Sequence, residues 1–187
     1  MRIRILLAAT CSVAALAAMT TVVLADRSAP TKIRATLKNV NGASIGTVTF
    51  SAASAKSPVE VRANVRRLQD GFHGFHVHAV GTCEGPAFTS AMGHMKATGQ
   101  GHDDHRGDMS SLLTKRNGTA ALRLTTDRFK LADLRDADGS AVMVHAGPDN
   151  FSNLPPRYAP DGPDQMTLDT GDSGGRVACG EIAASGG

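Results

Sequence analysis

Alternation of apolar and polar residues with a period of two is the feature that most limits the folds open to this chain. Successive side chains of a β-strand point to opposite faces, so the pattern predicts half-buried strands. Asn41-Gly42, Asn117-Gly118 and Asp138-Gly139 are turn signals between them. We predict strands in seven segments, at residues 33–40, 46–50, 59–67, 71–78, 120–125, 141–145 and 176–182.

Two long segments without periodicity interrupt this pattern, at residues 82–108 and 147–175, and both are rich in Gly, Pro, Asp and His. Irregular segments longer than about 15 residues are uncommon in compact domains unless they are functional or disordered. After residue 25 no long stretch has helical periodicity. We therefore predict an all-β sandwich or barrel of antiparallel strands that carries two long functional loops.

The first 25 residues differ from the rest, because Arg2 and Arg4 precede an uncharged run that is rich in Ala, Leu and Val. This layout is typical of a secretory signal with a cleavage site after Ala25. We expect a signal peptide at residues 1–25, one domain at 26–187, and export to the periplasm, the cell envelope or the medium. An uncleaved anchor stays open, because a run of about 20 apolar residues can span a bilayer. Lipid attachment at Cys11 is a weaker alternative.

The charge balance argues against a nucleic-acid partner. The whole chain has 20 Lys and Arg against 17 Asp and Glu, and loss of Arg2 and Arg4 leaves a balance of about +1. No basic run has interleaved aromatic residues, which nucleic-acid binding would favour.

The predicted domain contains two cysteines, Cys83 and Cys179, which are 96 positions apart. An even pair in an exported protein usually forms a disulfide. Closing so long a loop contributes on the order of 4 kcal/mol through the unfolded state. Two separate buried thiols are the alternative.

Six of the seven histidines lie between positions 73 and 105. His76 and His78 are two residues apart in a predicted strand, so both imidazoles can face one metal ion. Strand alternation alone also places such residues together, so this pair does not decide the matter. His145 ends an apolar strand, where a buried structural histidine is the default interpretation.

A stronger metal signal lies in the first long loop, where His94, His102, His105 and Asp108 are spaced by eight, three and three residues. Neighbouring glycines allow such a loop to fold back so that the side chains converge. Three imidazoles and one carboxylate form a tetrahedral set that suits zinc. A solvated polar loop is the alternative.

Four motifs in order resemble the copper/zinc superoxide dismutases, especially the exported bacterial ones, and the resemblance covers residues 32–182. The motifs are Gly71-Phe72-His73-Gly74-Phe75-His76-Val77-His78, the segment from Gly93-His94 to His105-Arg106-Gly107-Asp108, Val144-His145-Ala146-Gly147-Pro148-Asp149, and Gly171-Asp172-Ser173-Gly174-Gly175-Arg176-Val177-Ala178-Cys179-Gly180. Four independent motifs are far more specific than one. The resemblance implies a Greek-key β-barrel, and this family is itself a well-known example of sandwich-like architecture.

The resemblance also implies the metal ligands. Copper would be held by His76, His78, His94 and His145, and zinc by His94, His102, His105 and Asp108. His94 would bridge the two ions. Nitrogen-rich ligation suits Cu(II), and the mixed nitrogen and oxygen set suits zinc.

Other positions acquire roles through the same resemblance. Asp149 matches the carboxylate that links one ligand of each metal. His73 matches a structural histidine, and Arg176 matches the arginine beside copper. Cys83 and Cys179 match the family's disulfide. The charged residues of the second loop are expected to be solvated, namely Arg157, Asp161, Asp164, Asp169 and Asp172.

The chain departs from the family pattern around the bridging histidine. Met95-Lys96-Ala97 follows His94, where an aromatic residue and then Asn-Pro or Asp-Pro are usual. Met92 stands where a small residue is usual. Both departures concern the rigidity of the loop that carries His94.

The function implied is conversion of superoxide to dioxygen and hydrogen peroxide, with copper cycling between two oxidation states. His94 and Arg176 would be the catalytic residues, and superoxide the small anionic partner. Relatives occur as monomers and dimers, so a homodimer stays open. An exported copper and zinc carrier without turnover is the alternative function. A zinc hydrolase built on the His-x-His strand leaves His145 and Arg176 unexplained.

Overall fold

The computed structural model describes residues 31–102 and 104–184. The predicted signal peptide lies outside these residues. None of the helices in the described part of the chain has the length and hydropathy needed to cross a bilayer.

The regular structure of the described residues consists of nine strands, one short α-helix and two single-turn 3₁₀ helices at Thr89–Ala91 and Asp133–Arg135. The strands are β1 (Thr31–Asn39), β2 (Ser44–Ala52), β3 (Val59–Val65), β4 (Gly71–His73), β5 (Phe75–His78), β6 (Leu112–Thr114), β7 (Ala120–Thr126), β8 (Ser140–His145) and β9 (Arg176–Ile182), and the helix is α1 (Gln165–Thr170).

Seven of the strands form one antiparallel sheet in the order β5-β8-β9-β1-β2-β3-β7, and β4 pairs with β6 in a second sheet. The smaller sheet joins the open edges of the larger one. β4 is separated from β5 by Gly74 alone, while β6 lies beside β7. With β4 and β5 counted as one interrupted strand, eight antiparallel strands close into a barrel, which confirms the predicted fold class.

The barrel interior follows from strand alternation. On β1, for example, Ile33, Ala35 and Leu37 are buried while the residues between them are exposed. Val48 and Phe50 of β2 face the same core, which continues through β3, β5, β8 and β9. Burial of one large apolar side chain contributes about 1.5–3 kcal/mol, so this inward face is the main source of stability.

The predicted strand at residues 71–78 is present but divided at Gly74, whose amide donates to Gly147 O at 2.8 Å. A Cβ at this position would meet the side chain of Ser173 at 2.6 Å, so only glycine fits there. β6 was not predicted, because three residues are too few to show a period.

The second long loop contains α1, a six-residue helix that alternation could not reveal. Asp164 caps it by accepting from Thr167 N at 2.9 Å, and Gly171 ends it with a φ of 59°.

The first long loop is fastened to the barrel by the predicted disulfide. Cys83 and Cys179 are bonded, with Cα atoms 5.8 Å apart. Around them a small apolar cluster packs Phe88 and Ala91 of the loop against Ala141 and Met143 of β8. The loop is therefore held by one covalent bond and one satellite core.

Candidate metal centre

Strands β5 and β8 are buried on both sides, unlike β1. Phe75 and Val77 point into the barrel core. The alternate residues His76 and His78 point to the other side of the sheet, where the two long loops cover them. His145 ends the neighbouring strand β8, directly after a register shift between Val144 and His145. Antiparallel pairing of β5 with β8 thus brings three imidazoles together.

His94 enters this cluster from the first loop, opposite His78 in an isolated bridge. His76, His78, His94 and His145 form a buried group in which one ligand atom from each lies within 4.8 Å of the others. Nε2 of His78 is 3.3 Å from Nε2 of His145. Nδ1 of His76 and Nε2 of His94 are buried without a hydrogen-bond partner among the described residues.

A second group lies on the other side of the His94 ring. It consists of His94, His102, His105 and Asp108, again with ligand atoms within 4.8 Å of one another. Nδ1 of His94 is 3.2 Å from Asp108 Oδ1 and 3.3 Å from Nδ1 of His105. Nδ1 of His102 lies 3.2 Å from Asp108 Oδ1 but lacks hydrogen-bond geometry. His94 is the member that the two groups share.

The ring nitrogens that point away from the groups are anchored by acceptors. Carbonyl oxygens of Met92, Gly174 and Gln100 lie 2.8, 3.0 and 3.2 Å from His78 Nδ1, His145 Nδ1 and His105 Nε2. Each anchor favours a proton on the outer nitrogen, which leaves the inner nitrogen as a lone-pair donor.

Asp149 anchors one histidine of each group. Its Oδ2 lies 2.6 Å from His76 Nε2, and its Oδ1 lies 2.7 Å from His102 Nε2. Gly171 leaves room for this arrangement, because a Cβ there would overlap both Asp149 Oδ1 and His102 Nε2. The carboxylate therefore couples the strand-borne and loop-borne histidines.

Burial keeps several of these histidines neutral in the metal-free chain. Desolvation, followed by repulsion from neighbouring imidazoles, lowers the pKa of His145 to about 3. Desolvation also outweighs the Asp108 hydrogen bond and lowers the pKa of His94 to about 4. The pKa values of His78 and His105 are lowered for the same leading reason. Neutral imidazoles are the form that binds a metal ion.

His102 behaves in the opposite way. Burial alone would lower its pKa, but the close contact with Asp108, the hydrogen bond with Asp149 and the charge of both carboxylates together raise that pKa to about 9. Burial would raise the pKa of Asp108, yet its histidine partners hold the value well below the usual range. A positive charge is thus favoured within the second group.

The donor set fits two metal ions. Three buried ring nitrogens without partners among the described residues, one in His94 and the others in His76 and His102, point into the groups. An unpaired buried polar atom is costly, and a cation would satisfy it. Four nitrogens in the first group suit copper, and three nitrogens with one carboxylate in the second suit zinc.

An open cleft of about 590 Å³ leads to the first group, and His78, His94 and His145 form its floor. Arg176, the first residue of β9, lines its wall. Its guanidinium donates to Phe88 O at 2.5 Å and to Met92 O at 2.6 Å. These contacts fix a positive charge at the rim, since arginine stays cationic at any ordinary pH.

Lys96 and Asp169 also line the cleft and pair with each other at 3.1 Å. Sequence reasoning did not find this pair, because its members are 73 positions apart in different loops. Other acids of the second loop have structural partners rather than water alone. Asp172 accepts from Asn150 at 2.6 Å and from Thr167 at 2.8 Å.

His73 lies behind the centre and joins neither group. Its Nδ1 is 2.7 Å from His145 O and its Nε2 is 2.8 Å from Gln69 O. Both nitrogens face carbonyl oxygens, so this buried histidine has the contacts of a structural residue that supports the backbone at His145.

Met95 takes a core position despite the departure from the family pattern. Its side chain belongs to the main core, its amide donates to Val77 O at 2.9 Å, and its carbonyl accepts from Gly107 N at 2.8 Å. The segment after His94 is therefore tied to β5 on one side and to the loop before Asp108 on the other.

An eight-stranded barrel with two four-donor groups that share one imidazole defines a dinuclear metalloprotein whose first site opens to a cationic cleft. The model of the copper/zinc superoxide dismutase family matches residues 44–182. The chain belongs to this family.

Similar proteins agree with this assignment. A "Superoxide dismutase [Cu-Zn]" from Mycobacterium bovis is 40% identical over 168 residues, covering 81% of this chain and 70% of that protein. One of the same name from Mycolicibacterium paratuberculosis is 38% identical over 164 residues, covering 79% and 72%. A double mutant of a SOD-like protein from Bacillus subtilis superposes with a TM-score of 0.64 at 25% identity, covering 81% of this chain and 97% of that chain.

Proposed function

We propose that the chain is a superoxide dismutase in which copper is held by His76, His78, His94 and His145, and zinc by His94, His102, His105 and Asp108. The single observation that carries this proposal is that both four-donor groups meet at the His94 ring. Family membership supports the same reaction, in which two superoxide ions and two protons give dioxygen and hydrogen peroxide.

When bound, copper supplies one-electron chemistry between Cu(II) and Cu(I), and zinc supplies a fixed positive charge on the far side of His94. Arg176 attracts the small anion and positions it above His78, His94 and His145. Because the guanidinium is held by Phe88 O and Met92 O, this charge needs no rearrangement when the anion arrives. Superoxide dismutases are themselves a well-known example of such electrostatic steering.

His94 can hold a proton where the product needs one. Its Nε2 has no hydrogen-bond partner in the described part of the chain, and the ring lines the cleft. When this nitrogen is not bound to copper, a proton on it lies beside an anion resting near Arg176, so the proton can pass to the peroxide product. Asp108 and His105 hold the opposite nitrogen, which keeps the ring in place during the transfer.

The test is a superoxide assay on protein loaded with copper and zinc, repeated after removal of copper and for Arg176→Ala. We expect activity to vanish without copper and to fall at least about tenfold in Arg176→Ala at low salt, with both metals retained. Arg157→Ala is the control, because Arg157 is exposed in the second loop outside the cleft.

A carrier without turnover gives a different outcome. It would bind both metals and show no copper-dependent activity in the wild type, and Arg176→Ala would change nothing. Activity that persists after copper removal would also contradict the proposal.

Export and dimerisation are further parts of the proposal. The Cys83–Cys179 disulfide supports export, since such bonds persist in oxidising compartments. Deletion of residues 1–25 should leave the protein in the cytoplasm. Phe72 and Leu113 support a homodimer, since they pair across β4 and β6 and are 56% and 57% exposed. Sedimentation should then give a dimer that Phe72→Ser weakens.

A further inference from the structure

The outer surface of β1, β2, β3 and β7 is strongly cationic. Its outward-facing side chains include five cations and only one carboxylate, Glu60. Two further cations, Arg66 and Lys115, border it at one end. We call this surface the cationic face, with the cations Lys32, Arg34, Lys38, Arg62, Arg66, Lys115 and Arg123. The next carboxylate along β7, Asp127, lies beyond the end of that strand.

Strand register places these charges in rows. Arg34 is paired with Thr49, Thr49 with Arg62, and Arg62 with Arg123, so one row crosses all four strands. Like charges at such spacing repel each other. Glu60 relieves part of this repulsion, since it accepts from Arg62 and from Arg123 at 2.5 and 2.8 Å. Those two cations are therefore already neutralised in part.

The other five cations of the face lack such a partner among the described residues, and three of these five lie together. Arg34, Arg66 and Lys115 make no ion pair and no side-chain hydrogen bond with any described residue. They surround an open cleft of about 460 Å³ at one end of the cationic face. Its other polar lining consists of hydroxyl and amide groups, from Ser44, Thr47, Asn64 and Thr119, and contains no carboxylate.

The cleft has the chemistry of an oxyanion site. Three cations gathered without a counter-charge repel each other, and a bound anion would remove that repulsion. Hydroxyl and amide groups add neutral donors and acceptors of the kind that bind sugar hydroxyls. The face continues beyond the cleft through the Arg34 row, so a ligand with repeated anionic groups can extend along it.

We propose that the cationic face, with the cleft at its end, binds an anionic polysaccharide. Charge complementarity selects a polyanion, and the mixture of cations with hydroxyl and amide groups selects one built from sugar units. The site lies on the half of the sheet away from β5 and β8, which carry the strand-borne histidines. A polysaccharide bound there leaves the metal cleft open.

Two other polyanions fit the face less well. Single-stranded nucleic acids bind by stacking bases on aromatic rings, and no aromatic side chain faces outward from these four strands. Membrane surfaces are usually held by apolar side chains as well as charge. Of the exposed large apolar residues in the described chain, none lies in β1, β2, β3 or β7.

The experiment measures binding of the metal-loaded protein to heparin as the probe polysaccharide, with single-stranded DNA and anionic phospholipid vesicles in parallel. The test variant replaces Arg34, Arg66 and Lys115 with Gln. The matched control replaces Lys130, Arg135 and Arg157 with Gln, which removes the same charge elsewhere. Metal content, superoxide activity and thermal unfolding establish that each variant is folded.

We expect heparin binding in the wild type and in the control, and a Kd at least about tenfold higher in the cleft variant. Salt dependence of binding should also weaken in the cleft variant, because fewer counterions are released. A second variant is expected to change heparin affinity in the opposite direction. Glu60→Gln should tighten binding about twofold, whereas Asp136→Asn, away from the cationic face, should leave it unchanged.

Three results would overturn the proposal. The first is a wild type that does not bind heparin. The second is equal weakening in the two triple variants, which would mean that only net charge matters. The third is tighter binding of DNA or vesicles than of heparin at the same salt. If the cleft variant does not fold, the pair Glu60→Gln and Asp136→Asn decides, and equal affinities for heparin count against the site.

Discussion

The two donor groups of the metal centre are built in different ways. His76, His78 and His145 stand on β5 and β8, whose register is fixed by the barrel. His102, His105 and Asp108 lie in a loop, and the backbone N–H of His102 donates a hydrogen bond at 2.7 Å to Leu168 O of the other long loop. The strand histidines of the first group are therefore set by the fold, whereas the second group depends on loop contacts as well as on the bridge that joins Asp108 to His76 of β5.

This contrast explains how one scaffold can carry a reactive ion and an inert one. Ligands on a buried sheet cannot move without breaking core packing, so they can hold a geometry through a redox cycle. Loop ligands can adapt around an ion and then hold it. We expect the strand group to keep its arrangement without metal, and the loop group to gain order from zinc.

Replacing one residue from each donor group should give the largest difference in activity between the two groups. His145→Ala should lower superoxide activity at least about 100-fold, because a proposed copper ligand and its anchor to Gly174 are lost. Asp108→Ala should release zinc yet lower activity less than about tenfold, because the strand histidines stay in register. Metal analysis and the superoxide assay measure both. An equal loss of activity in the two variants would erase the distinction between the groups.

An intermediate effect is expected from the residue that joins the groups. Asp149→Asn leaves one oxygen acceptor for two histidines, so it should weaken metal affinity about 10- to 100-fold. Zinc should be affected more than copper, because His102 lacks the strand support of His76. Competition with chelators gives the two affinities. Glu84→Gln, an exposed loop substitution, is the control. A larger loss of affinity for copper than for zinc would contradict the expectation that the second group depends more on Asp149.

A weaker signature is the pH dependence of the metal-free protein. The pKa of His145 falls from the ordinary 6.5 to about 3, so its contribution makes the free energy of unfolding decrease as pH falls through that range. The pKa of His102 rises from 6.5 to about 9, so its stabilisation is complete below 6.5 and is lost as pH rises towards 9. His145→Gln should flatten the acid side and His102→Gln the alkaline side. Denaturant unfolding at a series of pH values measures both effects. If the two variants gave the same dependence of unfolding free energy on pH, the opposite pKa shifts of His145 and His102 would be contradicted.

Much of the barrel could be predicted from alternation, because one face of each long strand is buried. Bounds agreed to within about two residues for β1, β2, β3, β7, β8 and β9. Elements of three to six residues, such as β6 and α1, could not be predicted because they are shorter than the patterns that identify them.

The site was predictable where side-chain identity carries the chemistry. Motif order pointed to the histidines and to Asp108, Asp149 and Arg176. The anchors at Met92, Gly174 and Gln100 were not predictable, because a backbone carbonyl leaves no mark in the residue type. Only the folded loops reveal which peptide groups approach the rings.

One peptide group at the rim illustrates what this means for sequence change. The carbonyl oxygen of Met92 accepts hydrogen bonds from the His78 ring and from the Arg176 guanidinium, while residue 92 as a whole is 59% exposed. The residue type at position 92 can therefore change without disturbing His78 or Arg176, as long as the peptide group keeps its orientation. Its φ of 59° with ψ of −153° is a conformation natural to glycine, so replacement by glycine should relieve local strain rather than impair the enzyme.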